Sequence, residues 1–130
     1  MRILIANPFG IGDVLFTLPL VQTLRKLDQK THLGFIGNRR TQELVKAWPE
    51  VDWSLVFEKD EFRSLWKTSK KEGWRMIQAL VKKVQQENFD LLLDLSLGWH
   101  YSFLAWKAGI PKRVGFNFRE RGRFLTHSFS

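Results

Sequence analysis

Arg2-Ile3-Leu4-Ile5-Ala6 is a short apolar run that stops at Asn7-Pro8-Phe9-Gly10-Ile11-Gly12, and from Asp13 a stretch of helical character reaches about Leu27. A strand that enters a helix through a glycine turn is the opening unit of a βαβ fold, which disfavours all-β and all-helical architectures. Pro19 stands inside the helical stretch. It removes an amide donor and clashes with the carbonyl of Leu15, at a cost of about 3 kcal/mol, so a kink or a short first segment is expected before Leu20. The first turns carry Val14, Leu15, Phe16, Leu18 and Leu20, apolar nearly all round, and are expected to be buried against a sheet.

Further strands are expected over 31–36, 53–57, 91–95 and 113–116, each bounded by Gly, Pro, Asn or Asp. Helices are expected over 39–48, stopped by Pro49, over 75–87 and over 99–108. In the second of these Met76, Ile77, Leu80, Val81 and Val84 share one face opposite Lys82, Lys83, Gln85 and Gln86. Residues 58–74 have weak periodicity and read as an irregular or partly helical excursion, and 118–130 as a basic, aromatic tail. Five strands alternating with helices predict an α/β, Rossmann-like, doubly wound parallel sheet of order 3-2-1-4-5. Ligands bind such sheets outside the carboxyl ends of the strands, where the order reverses. That places chemistry in the 7–13 turn and the 96–100 loop.

Composition narrows the partner. The 130 residues carry a net charge of +8, and 13 Lys/Arg against 6 Asp/Glu lie in residues 61–130, so most of the excess is in the second half. Such a field attracts nucleic acid, anionic lipid or phosphorylated small molecules. Six Trp and eleven Phe, several beside those cations, favour a partner that is both anionic and apolar. The absence of cysteine excludes disulfides, thiolate zinc sites and a cysteine nucleophile, and fits a reducing compartment. No apolar run approaches the roughly 20 residues of a membrane span, so a soluble chain is expected.

Gly10-x-Gly12 after a first strand suggests a dinucleotide turn, but the third glycine position is Leu15 and the second strand ends in Gly37-Asn38-Arg39 without an acid. A phosphate-cradling loop fails as well, since no Gly-Lys-Ser/Thr follows. Asp13 opens the helix instead. A carboxylate there is favoured in its ionised form by the free amides and the helix dipole, by about 0.3–1 kcal/mol, and it repels a phosphate. Two uses fit: a helix cap, or a base beside a neutral hydroxyl.

The block from Met1-Arg2-Ile3-Leu4-Ile5 through Gly12-Asp13-Val14-Leu15-Phe16-Thr17-Leu18-Pro19 resembles the opening of the lipopolysaccharide heptosyltransferases, glycosyltransferase family 9. Phe89-Asp90-Leu91-Leu92-Leu93-Asp94-Leu95, Ala108 to Phe116 and Arg121 to Thr126 extend the resemblance along the chain. It implies the N-terminal half of a GT-B enzyme, with residues 1–130 as a Rossmann-like acceptor-binding domain. The donor-binding domain is then absent from this chain, and the fragment alone is expected to be inactive. The implied reaction is an inverting transfer of heptose or a related sugar from a nucleotide sugar such as ADP-heptose to a phosphorylated, lipid-linked inner-core acceptor. It uses no metal and no cofactor beyond the nucleotide-sugar co-substrate, with Asp13 as general base. The implied location is cytoplasmic, peripheral at the inner face of the bacterial inner membrane. The sequence departs from many relatives after Asp94, where it reads Leu95-Ser96-Leu97-Gly98 in place of Gln or His.

The acceptor contacts expected on this reading are Gly12, Arg63, Lys67, Lys70, Lys71, His100, Arg119 and Arg121. Arg63, Lys67, Lys70 and Lys71 surround Phe62, Trp66 and Trp74, a pattern that also suits an anionic membrane surface. Lys112, Arg113, Arg119, Arg121 and Arg123 form a second candidate phosphate-facing patch. His32, His100 and His127 have no metal-ligand spacing, and His100 follows the fourth strand at the reversal crevice. Asp94 reads as a structural hydrogen-bonding carboxylate. The rival functions are a basic non-catalytic module for nucleic acid or anionic lipid, and a non-catalytic relative in which Asp13 only caps its helix. No helix-turn-helix, zinc-finger or RNA-binding motif supports the first, so no nucleic-acid partner is expected.

Overall fold

The computed structural model describes residues 1–117 and 122–129. In chain order the elements are β1 (Arg2–Ala6), α1 (Ile11–Leu15), α2 (Leu18–Leu27), β2 (His32–Gly37), a 3-10 turn (Arg39–Thr41) leading into α3 (Gln42–Lys46), and β3 (Trp53–Val56). There follow α4 (Lys59–Thr68), α5 (Lys70–Gln86), β4 (Leu91–Asp94), α6 (His100–Lys107), β5 (Lys112–Phe116) and β6 (His127–Phe129). The strands form one sheet of order β3-β2-β1-β4-β5-β6, parallel throughout. The order reverses between β1 and β4, as the strand and helix alternation predicts.

Side chains alternate across the pleat and build a core on each face. Leu4, Ala6, Ile36 and Leu92 meet Ile77, Leu80 and Val84 of α5 and Leu104 of α6 on one side. Ile3, Ile5, Leu33 and Phe35 meet Val14, Val21, Val45 and Trp48 on the other. The amino-terminal edge is tied by Arg25. Its guanidinium donates to the carbonyls of Gln29, Thr31 and Glu50 and to Asp52 Oδ2, the last at 2.7 Å. Burial works to raise the Asp52 carboxyl, but the Leu33 amide and Arg25 outweigh it and hold it below its ordinary value.

The short first segment expected before Leu20 is present, and three other sequence expectations change. The opening helix is two helices: α1 ends at Leu15, Thr17 Oγ1 donates to the Val14 carbonyl, and α2 starts with Pro19 in its first turn, where a missing amide costs nothing. Because α1 is a single turn, only Val14 reaches the core, while Ile11, Leu15 and Phe16 are exposed, Phe16 by 82%. The expected burial of this apolar stretch is therefore corrected.

Residues 58–74, expected to be irregular or partly helical, are helical nearly throughout: α4 and the start of α5 occupy them. Asp60 and Glu61 in the first turn of α4 and Lys67 in its last complement the helix dipole. The Ser69 hydroxyl caps α5 by accepting from the Glu72 amide at 3.3 Å. Gly73 lets the two helices touch, since a Cβ there would lie 2.7 Å from Trp66 Cε3. Finally the sheet has six strands, because the tail returns as β6, with the Asn117 amide donating to the Phe129 carbonyl at 2.8 Å.

Candidate functional site

The carboxyl ends of β1, β2, β3 and β4 deliver their loops to one edge of the sheet. At the end of β1 the Asn7 side chain accepts from the Phe9 amide at 3.1 Å, and Nδ2 reaches the Asp13 carbonyl at 3.4 Å. Asn38, at the end of β2, donates to the carbonyls of Pro8 and Phe9 at 2.7 and 2.8 Å and accepts from the Thr41 amide at 3.1 Å. Two asparagines thus fix the turn that presents α1. On it, Val14 anchors one side and Asp13 is exposed on the other. A Cβ at Gly12 would meet nothing within 4 Å, so packing does not require glycine there.

Beside this turn α4, α5 and α6 enclose a cleft of about 900 Å³. Its walls are aromatic. Phe57 directly follows β3 and touches the rings of Phe62, His100 and Tyr101, and Trp99 stacks on His100 with centroids 4.2 Å apart. Phe124 closes the far side against Trp99 and Phe103. Arg63, Lys67 and Arg123 are its charged lining among the described residues, with no carboxylate among those. Trp66, Trp74, Trp99 and the neighbouring Trp106 are each 39–47% exposed, and Lys107 Nζ lies between Trp74 and Trp106 at 5.6 and 5.4 Å.

Under the edge lies Asp94, buried and accepting through Oδ1 from the Ser96 amide at 2.9 Å and the Ser96 hydroxyl at 2.5 Å. Burial pushes its carboxyl up to about 6, against the pull of the two Ser96 bonds. It thereby fixes the 95–98 loop that leads into Trp99 and His100. Tyr101, also buried, has its phenol pushed well above the ordinary value by burial and by the carboxylates of Asp94 and Glu58, so it serves as a neutral donor to the Phe57 carbonyl at 3.4 Å.

Of the expected acceptor contacts, Arg63, Lys67 and His100 line the cleft together. Lys70 and Lys71 are exposed at the start of α5 and are not among the lining residues of the cleft. Asp13 and Gly12 are at the same edge of the sheet but outside the cleft lining. Arg119 and Arg121 lie outside the described residues. Arg113 is committed to structure, donating to the carbonyls of Phe124 and Ile110 at 2.5 and 2.6 Å. It leaves the candidate patch, whereas Arg123 joins the cleft. No group of three His, Asp or Glu among the described residues is placed to hold a metal ion, and no helix there is long and apolar enough to cross a membrane. Sequence reasoning did not find the aromatic walls at Phe57, Trp99, Phe103 and Phe124, because they come from separate segments that only the sheet order brings together.

No protein-family model matches the chain. Its backbone superposes on E. coli heptosyltransferase WaaC, solved with ADP-2-deoxy-2-fluoro heptose, at a TM-score of 0.82 over 99% of the chain and 42% of that structure, with 18% identity. This is the fold of the N-terminal half of a family 9 glycosyltransferase. A family 9 glycosyltransferase from Veillonella parvula matches 99% of the chain at a TM-score of 0.78 and 22% identity, over 36% of that structure. E. coli ADP-heptose lipopolysaccharide heptosyltransferase II matches the whole chain at 0.74 and 22% identity, over 35% of its own length. In sequence, the lipopolysaccharide core heptosyltransferase OpsX of Haemophilus influenzae is 23% identical over 107 residues, 82% of this chain. The chain spans 27% of that curated relative's length. The Haemophilus and E. coli proteins are heptosyltransferases by name; in this chain Asp13 and the aromatic cleft lie at the carboxyl edge of the sheet.

Proposed function

We propose that residues 1–130 are the acceptor-binding half of an inverting glycosyltransferase, working with a second, donor-binding half. The reaction moves heptose or a related sugar from a nucleotide sugar such as ADP-heptose to a hydroxyl of a phosphorylated, lipid-linked lipopolysaccharide inner-core acceptor. The observation that carries this reading is the Asp13 carboxylate, held open to solvent at the carboxyl edge of the sheet in a chain with the heptosyltransferase half-fold. A hydroxyl arriving there loses its proton to Asp13 as its oxygen attacks the anomeric carbon from the face opposite the departing nucleoside diphosphate, so the configuration inverts. A base so placed contributes typically about 10²–10⁴ in rate.

The aromatic cleft supports the acceptor part of the proposal. Three cations, with no carboxylate among the described lining residues, suit phosphate, and Arg63 and Arg123 offer bidentate forks. Trp and Phe walls suit the apolar portion of a lipid-linked molecule, and His100 contributes a ring to the same surface. Gly12 leaves the approach to Asp13 unobstructed. Lys70 and Lys71, exposed at the start of α5, extend the proposed basic surface. Half-exposed tryptophans beside cations are the chemistry of a bilayer interface, which supports a cytoplasmic protein docked at the inner face of the inner membrane.

The test is Asp13→Asn in a polypeptide that carries this chain together with its donor half, assayed by product mass with ADP-heptose and a truncated core acceptor. Turnover falls at least a hundredfold while the circular dichroism spectrum and urea midpoint stay unchanged. Near-normal turnover would remove Asp13 as the base.

A further inference from the structure

Two surfaces of exposed apolar side chains lie at the carboxyl edge of the sheet, and they differ in charge. The tryptophans of the cleft stand beside Arg63, Lys67 and Lys107. The turn and helix that carry Asp13 lack such neighbours. Ile11, Leu15 and Phe16 are 50%, 45% and 82% exposed, and from residue 3 to residue 24 Asp13 is the one charged side chain. On the neighbouring 3-10 turn, Arg39 is engaged by Glu61, and Arg40 shares a small cavity with Lys59, Glu58 and Asp60, two cations against two carboxylates. Ile11 and Leu15, four residues apart on α1, share a face, and Phe16 follows at its end. Gly10 and Gly12 bracket Ile11. Neither has a positive φ, and a Cβ on either would meet nothing within 4 Å. Nothing inside this chain requires their smallness, which fits a turn that another surface approaches closely.

Chemistry separates the candidate occupants of this patch. An anionic bilayer gains from cations, and Asp13 repels it. A second copy of this chain, docked through the same patch, brings two Asp13 carboxylates to one interface. A donor-binding half meets neither objection. A base at Asp13 acts only when the acceptor hydroxyl and the anomeric carbon meet beside it, about 3–3.5 Å apart, so the polypeptide that holds the donor must come against this turn. This chain spans 42% of the WaaC structure and 27% of the OpsX length, so more than half of each relative lies outside the matched part. We infer that Ile11, Leu15 and Phe16 are the docking surface for the donor-binding half, which meets them with an apolar face and on closing shuts bulk water away from Asp13. The inference rests on the transferase reading. Charge-poor, apolar contact is the chemistry of an interface core. Closure keeps solvent from competing with the acceptor hydroxyl for the base and for the donor.

The absence of cysteine makes the test direct. Phe16→Cys puts a single thiol in the surface, and Leu27→Cys, at a position 78% exposed at the end of α2, is the control. Reaction of each thiol with Ellman's reagent is timed in the 130-residue chain and in a polypeptide that joins it to a cysteine-free donor half, with ADP added. The Phe16→Cys thiol should react at least tenfold more slowly in the longer polypeptide while the control keeps its rate. Protection should hold at high salt, since screening weakens charge contacts and not apolar burial. Equal rates for Phe16→Cys overturn the surface. Protection of the 130-residue chain that rises with its own concentration, or that appears with phosphatidylglycerol vesicles, also overturns it, in favour of a second copy or a bilayer. Leu15→Ser with Phe16→Ser should lower turnover of the longer polypeptide at least tenfold at an unchanged urea midpoint, and unaltered turnover counts against the surface as well. Protection in a longer polypeptide that transfers no sugar removes the transferase reading and leaves the surface standing. Equal rates in one that does transfer sugar have the reverse meaning.

Discussion

Asp94→Asn changes one buried group and leaves its geometry in place, since the amide oxygen of asparagine accepts the same two bonds from Ser96 that Asp94 Oδ1 accepts. The parent carboxyl is pushed up to about 6 by burial, against about 4 in the unfolded chain. A group whose folded value is raised adds stability that is fully present below the unfolded value and is lost as pH rises through the folded one. Two pH units at about 1.4 kcal/mol each give about 3 kcal/mol, lost between about pH 4 and above 6. Asparagine does not titrate. Urea unfolding of both proteins at half-unit steps from pH 3.5 to 7.5, with the parent's stability subtracted from the variant's at each pH, isolates this group from all others. The difference should climb by about 3 kcal/mol across that window in favour of the variant. A flat difference would refute the assignment of burial as the dominant influence on Asp94.

Gly34→Ala brings a Cβ to 2.4 Å from Phe89 Cζ, and Phe89 is itself wedged against Trp53 and His32, so urea unfolding should show a loss of about 1–3 kcal/mol. Arg25→Ala strands the carbonyls of Thr31 and Glu50 and leaves the Asp52 carboxylate with the Leu33 amide but without its guanidinium, and the same assay should register about 1–3 kcal/mol, with little change for a substitution at the exposed Phe16. Replacing Arg63, Lys67, Lys70 and Lys71 together by Gln should reduce sedimentation with phosphatidylglycerol vesicles at low salt by a hundredfold or more, at about 1 kcal/mol per cation. Equal sedimentation of parent and variant would remove the membrane proposal.

The parallel sheet was legible because β1, β2 and β4 are apolar runs punctuated by Gly, Pro and Asn, and such punctuation is a local property. Pro19 signalled a real break for the same reason. The misreadings have a common physical origin in residues whose partners are distant. Phe62, Trp66 and Trp74 line a cleft while half exposed, which blurs the helical period across 58–74, although Ser69-Lys70-Lys71-Glu72 carried a capping signature. The apolar α1 seemed destined for the core because pattern alone does not show that one turn is too short to rotate Leu15 and Phe16 onto the sheet. β6 is three residues long and takes its place from Arg113, whose side chain is tied to the Phe124 carbonyl. At the site, Asp13, Arg63 and Lys67 stood out by charge and position.

The central place of β1 has a cost during biosynthesis. Its first partner, β2, follows soon after, but its other neighbour, β4, begins only at Leu91. At cellular translation rates the ribosome needs roughly 5 to 20 s to make the intervening chain of about 85 residues. Through that interval the Arg2–Ala6 strand has one hydrogen-bonding edge open and no native segment to fill it. A nascent chain of this topology should therefore depend on holdase chaperones until β4 emerges, and arrest-peptide force profiles should show the sheet locking only after that point.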